Sequence, residues 1–219
     1  MPDDKPLEDR HDTCPGGTPT PRRRDDPVPL AMIAVHESTD ILPAYRATPL
    51  AELLAAHNLG TPPAIRHDPD LLIVTCMDHR IRLDIPECFA FVLRVAGANA
   101  DPVAFNVSFA VSVAGVKAIA VIGHDDCAMQ DLHSKRDEFV SGLQQRCRWS
   151  RERVEEHFDA GAKRFAIADS AEATWHQAKR LQELYPGVDV APFFFRADDA
   201  TLLRVVECDA MTTAPPQAP

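Results

Sequence analysis

Leu71-Leu72-Ile73-Val74-Thr75-Cys76-Met77-Asp78-His79-Arg80 runs an apolar, β-branched segment straight into a cysteine, an aspartate, a histidine and an arginine. An apolar run this short, bounded by polar residues, suits a strand buried on both faces. Phe89 to Val95 and Lys117 to Ile122 read the same way. Between those two lies Pro102 to Ala114, apolar nearly all round and long enough for a crossover helix. Doubly buried strands joined by a crossover make a parallel sheet the economical architecture. The expected fold class is therefore α/β, a mostly parallel central sheet with covering helices.

Working outward, Thr48-Pro49-Leu50 reads as a helix start, with an N-cap followed by proline at the first helical position, and Gly60 as its stop. Ser134 to Trp149 and Arg151 to His157 are charged, helix-prone segments, and Ala171 to Tyr185 carries apolar residues at helical spacing before Pro186-Gly187. Val188 to Arg196 and Leu202 to Val206 read as two final strands joined by a turn at Ala197-Asp198-Asp199-Ala200. Residues 1–31, rich in proline and charge, are expected to be a disordered leader, because they bury too little to offset the entropy of ordering. Residues 32–207 are expected to form one α/β domain, with 208–219 as a flexible tail.

A chain of 219 residues with 45% apolar content can bury one good core. Its formal charge of -10 argues against a nucleic-acid partner, whose phosphates call for clustered Lys and Arg. Arg22-Arg23-Arg24 is a compact basic run, but Asp25 and Asp26 follow at once. No stretch approaches the roughly 20 apolar residues that span a bilayer, and the N-terminal region lacks a signal peptide's apolar segment. No membrane partner and a cytoplasmic address are expected. Six cysteines without an export signal read as reduced thiols, with Cys88, Cys147 and Cys208 as small buried hydrophobes and Cys14 as an unpaired exposed thiol.

The chemistry concentrates at two strand ends. Cys76 follows the first run, and His124-Asp125-Asp126-Cys127 follows Ala118 to Gly123. Ligands bind beyond the carboxyl ends of strands in such sheets, so Cys76, His124 and Cys127 converge on one ion. Three nitrogen or sulfur ligands with the fourth position open is the arrangement of a hydrolytic zinc site. Zinc-bound water there is acidified and supplies hydroxide near neutral pH. Asp78 is close enough to take the fourth zinc position conditionally, which would switch the site off, or to accept a hydrogen bond from the bound water. Arg80 can pair with Asp78 in a bidentate fork and hold it away from the metal.

Cys76-x-Asp78-x-Arg80 followed by His124-x-x-Cys127 resembles the metal and dyad motifs of the β-class carbonic anhydrases. The resemblance extends more loosely from about Ala47 to Val206, through Val92-Leu93-Arg94-Val95-Ala96-Gly97 and Val121 to Met129. It implies a mostly parallel sheet, Zn2+ held by Cys76, His124 and Cys127, and a catalytic Asp78–Arg80 dyad. The implied reaction is reversible hydration of carbon dioxide to bicarbonate, in a homodimer or higher homo-oligomer. The chain departs from the family pattern at Val95, often Asn, at Ala128, often Gly, and at His79, usually a small residue.

Other readings use the same residues. Carbonyl sulfide and carbon disulfide are linear molecules that the same hydroxide could attack, and a catalytically silent homologue would keep the zinc alone. A structural zinc would recruit Cys88 or His79 as a fourth ligand. Cys76 could instead be a nucleophile with His124 as its base, which leaves Cys127 without a task. His57, His67, His133, His157 and His176 read as surface residues, whereas His79 lies inside a motif and is a candidate proton shuttle. Asp126 reads as a helix cap, and Gly97 and Gly123 as tight turns at the site rim.

Overall fold

The computed structural model describes residues 28–63 and 68–208. The leader to Pro27, with Cys14 and Arg22 to Arg24, lies outside the described residues, as do His67 and the tail from 209 onward.

Six strands form one sheet among the described residues: β1 (Leu30–Ile33), β2 (Leu71–Thr75), β3 (Ala90–Arg94), β4 (Ala118–His124), β5 (Asp189–Arg196) and β6 (Thr201–Glu207). Their spatial order is β1-β6-β5-β4-β2-β3. The β3, β2, β4 and β5 strands are mutually parallel, and β6 and β1 add an antiparallel edge, so the sheet is mostly parallel. β1 begins at Leu30, two residues inside the stretch expected to be leader. Its short sequence gives little signal, and its backbone is held by pairing with β6, extended by the Cys208 N–H donating to the Pro29 carbonyl at 2.8 Å.

Alternation along the doubly buried strands sorts the core into two layers. Leu71, Ile73, Ala118, Ala120 and Ile122 face one side, where helix α1 (Pro49–Leu59) packs through Leu50, Leu53 and Leu54. Leu72, Val74, Ile119 and Val121 face the other, against helix α2 (Ala104–Ser112) through Val107 and Ala110. Burying each Leu, Ile or Val among these stabilises the fold by about 1.5–3 kcal/mol. α1 has the expected ends: Thr48 Oγ1 accepts the Leu50 N–H at 3.2 Å, and Gly60 closes it at φ 62°. A left-handed terminal residue is what glycine permits without strain.

Beyond β4, α3 (Arg136–Cys147) and α4 (Arg151–Phe165) pack on each other, with Phe139 edge-on to Phe158 at 5.3 Å. α4 runs eight residues past the expected His157, because Phe158 and Ala162 continue its buried stripe. α5 (Ser170–Leu184) covers β4 and β5 on the α2 side of the sheet through Ala178 and Leu181.

The cysteine expectations need correction. Cys88 and Cys147 are exposed free thiols, not buried hydrophobes, and Cys208, though buried, is disulfide-bonded. Cys88 sits at φ 59° in the loop before β3, and Cys147 is the last residue of α3, a largely polar helix in which Val140 alone is buried. No helix among the described residues is long and apolar enough to cross a membrane.

Candidate metal centre

β2 and β4 are adjacent and in register, Thr75 opposite Ile122, so both chains leave the sheet side by side at their carboxyl ends. From β2 the chain steps out to β3 and then returns through α2 to β4 on the other side of β2. Such a reversal opens a crevice between the neighbouring strand ends. Cys76 is the first residue past β2, His124 is the last of β4, and Cys127 follows one turn later.

The ligand atoms of Cys76, His124 and Cys127 all lie within 4.8 Å of one another, and all three residues are buried. The two sulfurs are 4.0 Å apart. Two sulfurs on one tetrahedral zinc at about 2.3 Å stand about 3.8 Å apart, so the pair already has the separation an ion requires. His124 is 1% exposed, yet neither ring nitrogen has a hydrogen-bond partner. A buried imidazole without a partner carries a desolvation cost that a metal–nitrogen bond removes. The donor set therefore fits a metal ion.

Electrostatics point the same way. The hydrogen bond from Cys127 holds the Cys76 thiol far below its ordinary pKa, while Cys76 and burial push the Cys127 thiol up. The pair thus loses its first proton readily and its second reluctantly, since two thiolates this close repel without a cation between them. Burial pulls the His124 pKa down, but the neighbouring Cys76 and Asp78 outweigh it and leave it raised.

Asp78 belongs to this crevice without joining the donor set. Its Oδ2 lies 3.9 Å from His124 Nδ1 and accepts from Arg80 Nη2 at 2.9 Å. The Arg80 side chain holds the Asp78 carboxyl well below the usual carboxylate range, with a further contribution from the Arg80 backbone N–H. Arg80 Nη2 also donates to the Asp126 carbonyl at 3.2 Å, linking the loop after β2 to the loop after β4. His79, by contrast, points outward with a 91% exposed side chain. Neither His79 nor Cys88 is part of the three-residue cluster.

Asp126 caps no helix. It sits at φ 48° in a turn, and its side chain faces Arg80 at 3.9 Å. Of the two glycines expected to make tight turns, Gly97 does so at φ 63°, whereas Gly123 lies inside strand β4 and packs against Ser170 and Thr174 of α5. Three supports went unassigned in the sequence. Thr75, fully buried, donates its hydroxyl to the Ile122 carbonyl at 3.1 Å, tying β2 to β4. Asp125 accepts the Ala197 N–H at 3.1 Å and fixes the His124 loop to the end of β5. Arg94 donates to three carbonyls of the loop after β2. An arginine or threonine closing an apolar strand was the available signal for two of them.

Fold and donor set together define an α/β protein able to hold a metal ion between parallel strand ends. Residues 71–189, more than half of the chain, match the family model described as carbonic anhydrase. The chain belongs to the carbonic anhydrase family, in its β class. Among solved structures, β-carbonic anhydrase isoform I from Trichomonas vaginalis aligns at 16% identity over 68% of this chain and 90% of that one, with a TM-score of 0.56. Carbonic anhydrase from Glaciozyma antarctica aligns at 22% identity over 75% and 95%, with a TM-score of 0.50. At these identities the likeness shows the fold. A search of curated proteins returned no match.

Proposed function

We propose that this chain catalyses the reversible hydration of carbon dioxide to bicarbonate, with Cys76, His124 and Cys127 holding a zinc ion and Asp78 and Arg80 as its catalytic dyad. The observation that carries the reading is the convergence of two sulfurs and a partnerless buried imidazole within 4.8 Å, in a member of the carbonic anhydrase family. When bound, zinc supplies the Lewis acidity that makes water a nucleophile near neutral pH.

The chain's own residues set the geometry. Thiolates are the donors that favour zinc over harder divalent cations. Asp78, kept ionised by Arg80, can only accept hydrogen bonds, so it orients water without protonating it. Its carboxylate is engaged by Arg80, a pairing that would keep it off an ion held by Cys76, His124 and Cys127. That arrangement supports an open site rather than a silent one.

A homodimer belongs to the same proposal. Phe91 and Val92 on the edge strand β3 and Phe105, Phe109 and Val113 on and just after α2 are exposed, an apolar surface suited to a second copy.

Stopped-flow hydration of carbon dioxide by zinc-loaded protein tests the function, with a parallel assay for sulfide release from carbonyl sulfide and carbon disulfide. Turnover of carbon dioxide above buffer, across about pH 6.5 to 9, supports the proposal. Sulfide release with no hydration would transfer the site to the other substrates, and neither activity would leave a zinc-binding homologue.

A further inference from the structure

We propose that Arg94 is a positioning residue: its guanidinium clamps the backbone of the loop that presents Cys76, Asp78 and Arg80. The catalytic consequence rests on the function proposed above; the clamp itself does not.

The register places it there. Thr75 of β2 pairs with Arg94 of β3, so Arg94 stands level with the last residue of β2. Side chains lean along the strand direction, which carries this one past the strand end. The last rung of the ladder is the Val95 N–H donating to the Thr75 carbonyl at 2.9 Å. Beyond it the carbonyls of the loop have no neighbouring strand to pair with.

Arg94 takes over from the ladder. Nη1 donates to the Asp78 carbonyl at 3.2 Å and, more loosely, to the Cys76 carbonyl at 3.4 Å, while Nη2 donates to the Ile81 carbonyl at 2.9 Å. One planar fork thus spans both ends and the middle of the 76–81 segment. A lysine ammonium, a point charge on a flexible stem, cannot reproduce that geometry. The consequence centres on Asp78, whose main chain is held by Arg94 and whose carboxylate is held by Arg80. Arg80 in turn donates to Asp126. The guanidiniums of Arg94 and Arg80 therefore connect β3, the Cys76 loop and the Cys127 loop in one chain of hydrogen bonds. Catalytic groups displaced by an ångström can lose about 10²-fold in rate.

The test compares the full-length wild type with Arg94→Ala and Arg94→Lys by residue-resolved amide hydrogen exchange in zinc-free protein, and by kcat, KM and zinc affinity in loaded protein. Exchange at Arg80 and Ile81, whose amides donate to Asp78, is expected to rise about tenfold or more in Arg94→Ala while Ala120 to Ile122 in β4 stay protected. Arg94→Lys should fall between the two, and kcat should drop about tenfold with KM within about twofold. Unchanged loop exchange, an equal rise in loop and β4, or a loosened loop with wild-type kcat would each overturn the proposal. If Arg94→Ala does not fold, a wild-type exchange pattern in Arg94→Lys overturns it. If the loaded wild type hydrates no carbon dioxide, the proposed function fails, and the exchange experiment still decides the clamp.

Discussion

Arg80 holds Asp78 by side chain and backbone together: its backbone N–H reaches Oδ1 at 2.9 Å, Nε reaches both oxygens at 3.1 and 3.2 Å, and Nη2 reaches Oδ2 at 2.9 Å. A charge-assisted fork of this kind fixes orientation as well as ionisation. It keeps an anionic group beside the donor set and out of it.

Removing the fork would free the Asp78 carboxylate to swing toward an ion held by Cys76, His124 and Cys127. Arg80→Ala is expected to lower carbon dioxide hydration by at least about 10²-fold, the scale of losing one preorganised electrostatic partner. Zinc content should stay near one per chain, because the three donors come from other residues. Stopped-flow rates paired with metal analysis check both halves. Wild-type turnover would remove Arg80 from the mechanism.

Gly123 sits just before His124 where α5 presses on β4. A Cβ there would collide with Thr174 Oγ1 and lie 3.2 Å from the Ser170 carbonyl oxygen. Thr174 cannot simply turn away, since its hydroxyl donates to that carbonyl at 2.7 Å within a buried contact. Gly123→Ala should destabilise the protein by about 1–3 kcal/mol, the usual range for overpacking. Adding Thr174→Ala should recover part of the loss in chemical denaturation.

Metal removal should be costly. Without a cation, the Cys76 and Cys127 sulfurs stand 4.0 Å apart and the His124 ring has no hydrogen-bond partner. Zinc at about 100 times its Kd should add about 2.7 kcal/mol of stability by mass action. Binding should also release protons, since the thiols must ionise. Thermal melts with and without a chelator, and proton release measured by calorimetry in buffers of different ionisation enthalpy, test this.

His57 gives the fold a pH dependence outside the metal centre. Its Nε2 contacts the Ala200 carbonyl at 2.8 Å and its Nδ1 accepts the Asp84 N–H at 2.9 Å. Burial lowers its pKa below the ordinary value of 6.5. The unfolded chain therefore binds more protons at this position in mild acid, so its stabilising effect is full above about pH 6.5 and is lost as pH falls through the folded pKa. Protonation also removes the lone pair that Asp84 needs. In His57→Gln, stability should fall less steeply between about pH 7.5 and 5.5 than in the wild type. An identical slope would exclude His57 as the titrating group.

The parts of this architecture visible in the sequence are those with a strong local pattern. Doubly buried strands announce themselves as apolar runs, and α1 carries both of its end signals, so β2, β4 and the capped helix were legible. The three donors were legible because each follows such a run at a spacing that metal binding requires. β1 was not, because its four residues are held by a partner strand far along the chain and not by their own pattern. The exposure of the free Cys88 and Cys147 is not legible in the sequence, because a thiol's burial depends on which way its loop or helix face turns. The roles of Arg94 and Asp125 depend on backbone partners, so residue type marks the strand-ending Arg94 as notable without naming what it holds, and Asp125 carries no such signal.

X-ray absorption at the zinc edge of the loaded protein probes the donor set itself. Two sulfur neighbours at about 2.3 Å with one imidazole and one further light atom at about 2.0 Å are expected, and the sulfur signal should halve in Cys127→Ser. A wild-type shell lacking sulfur, or a protein that binds no zinc at all, would contradict the assignment of Cys76, His124 and Cys127.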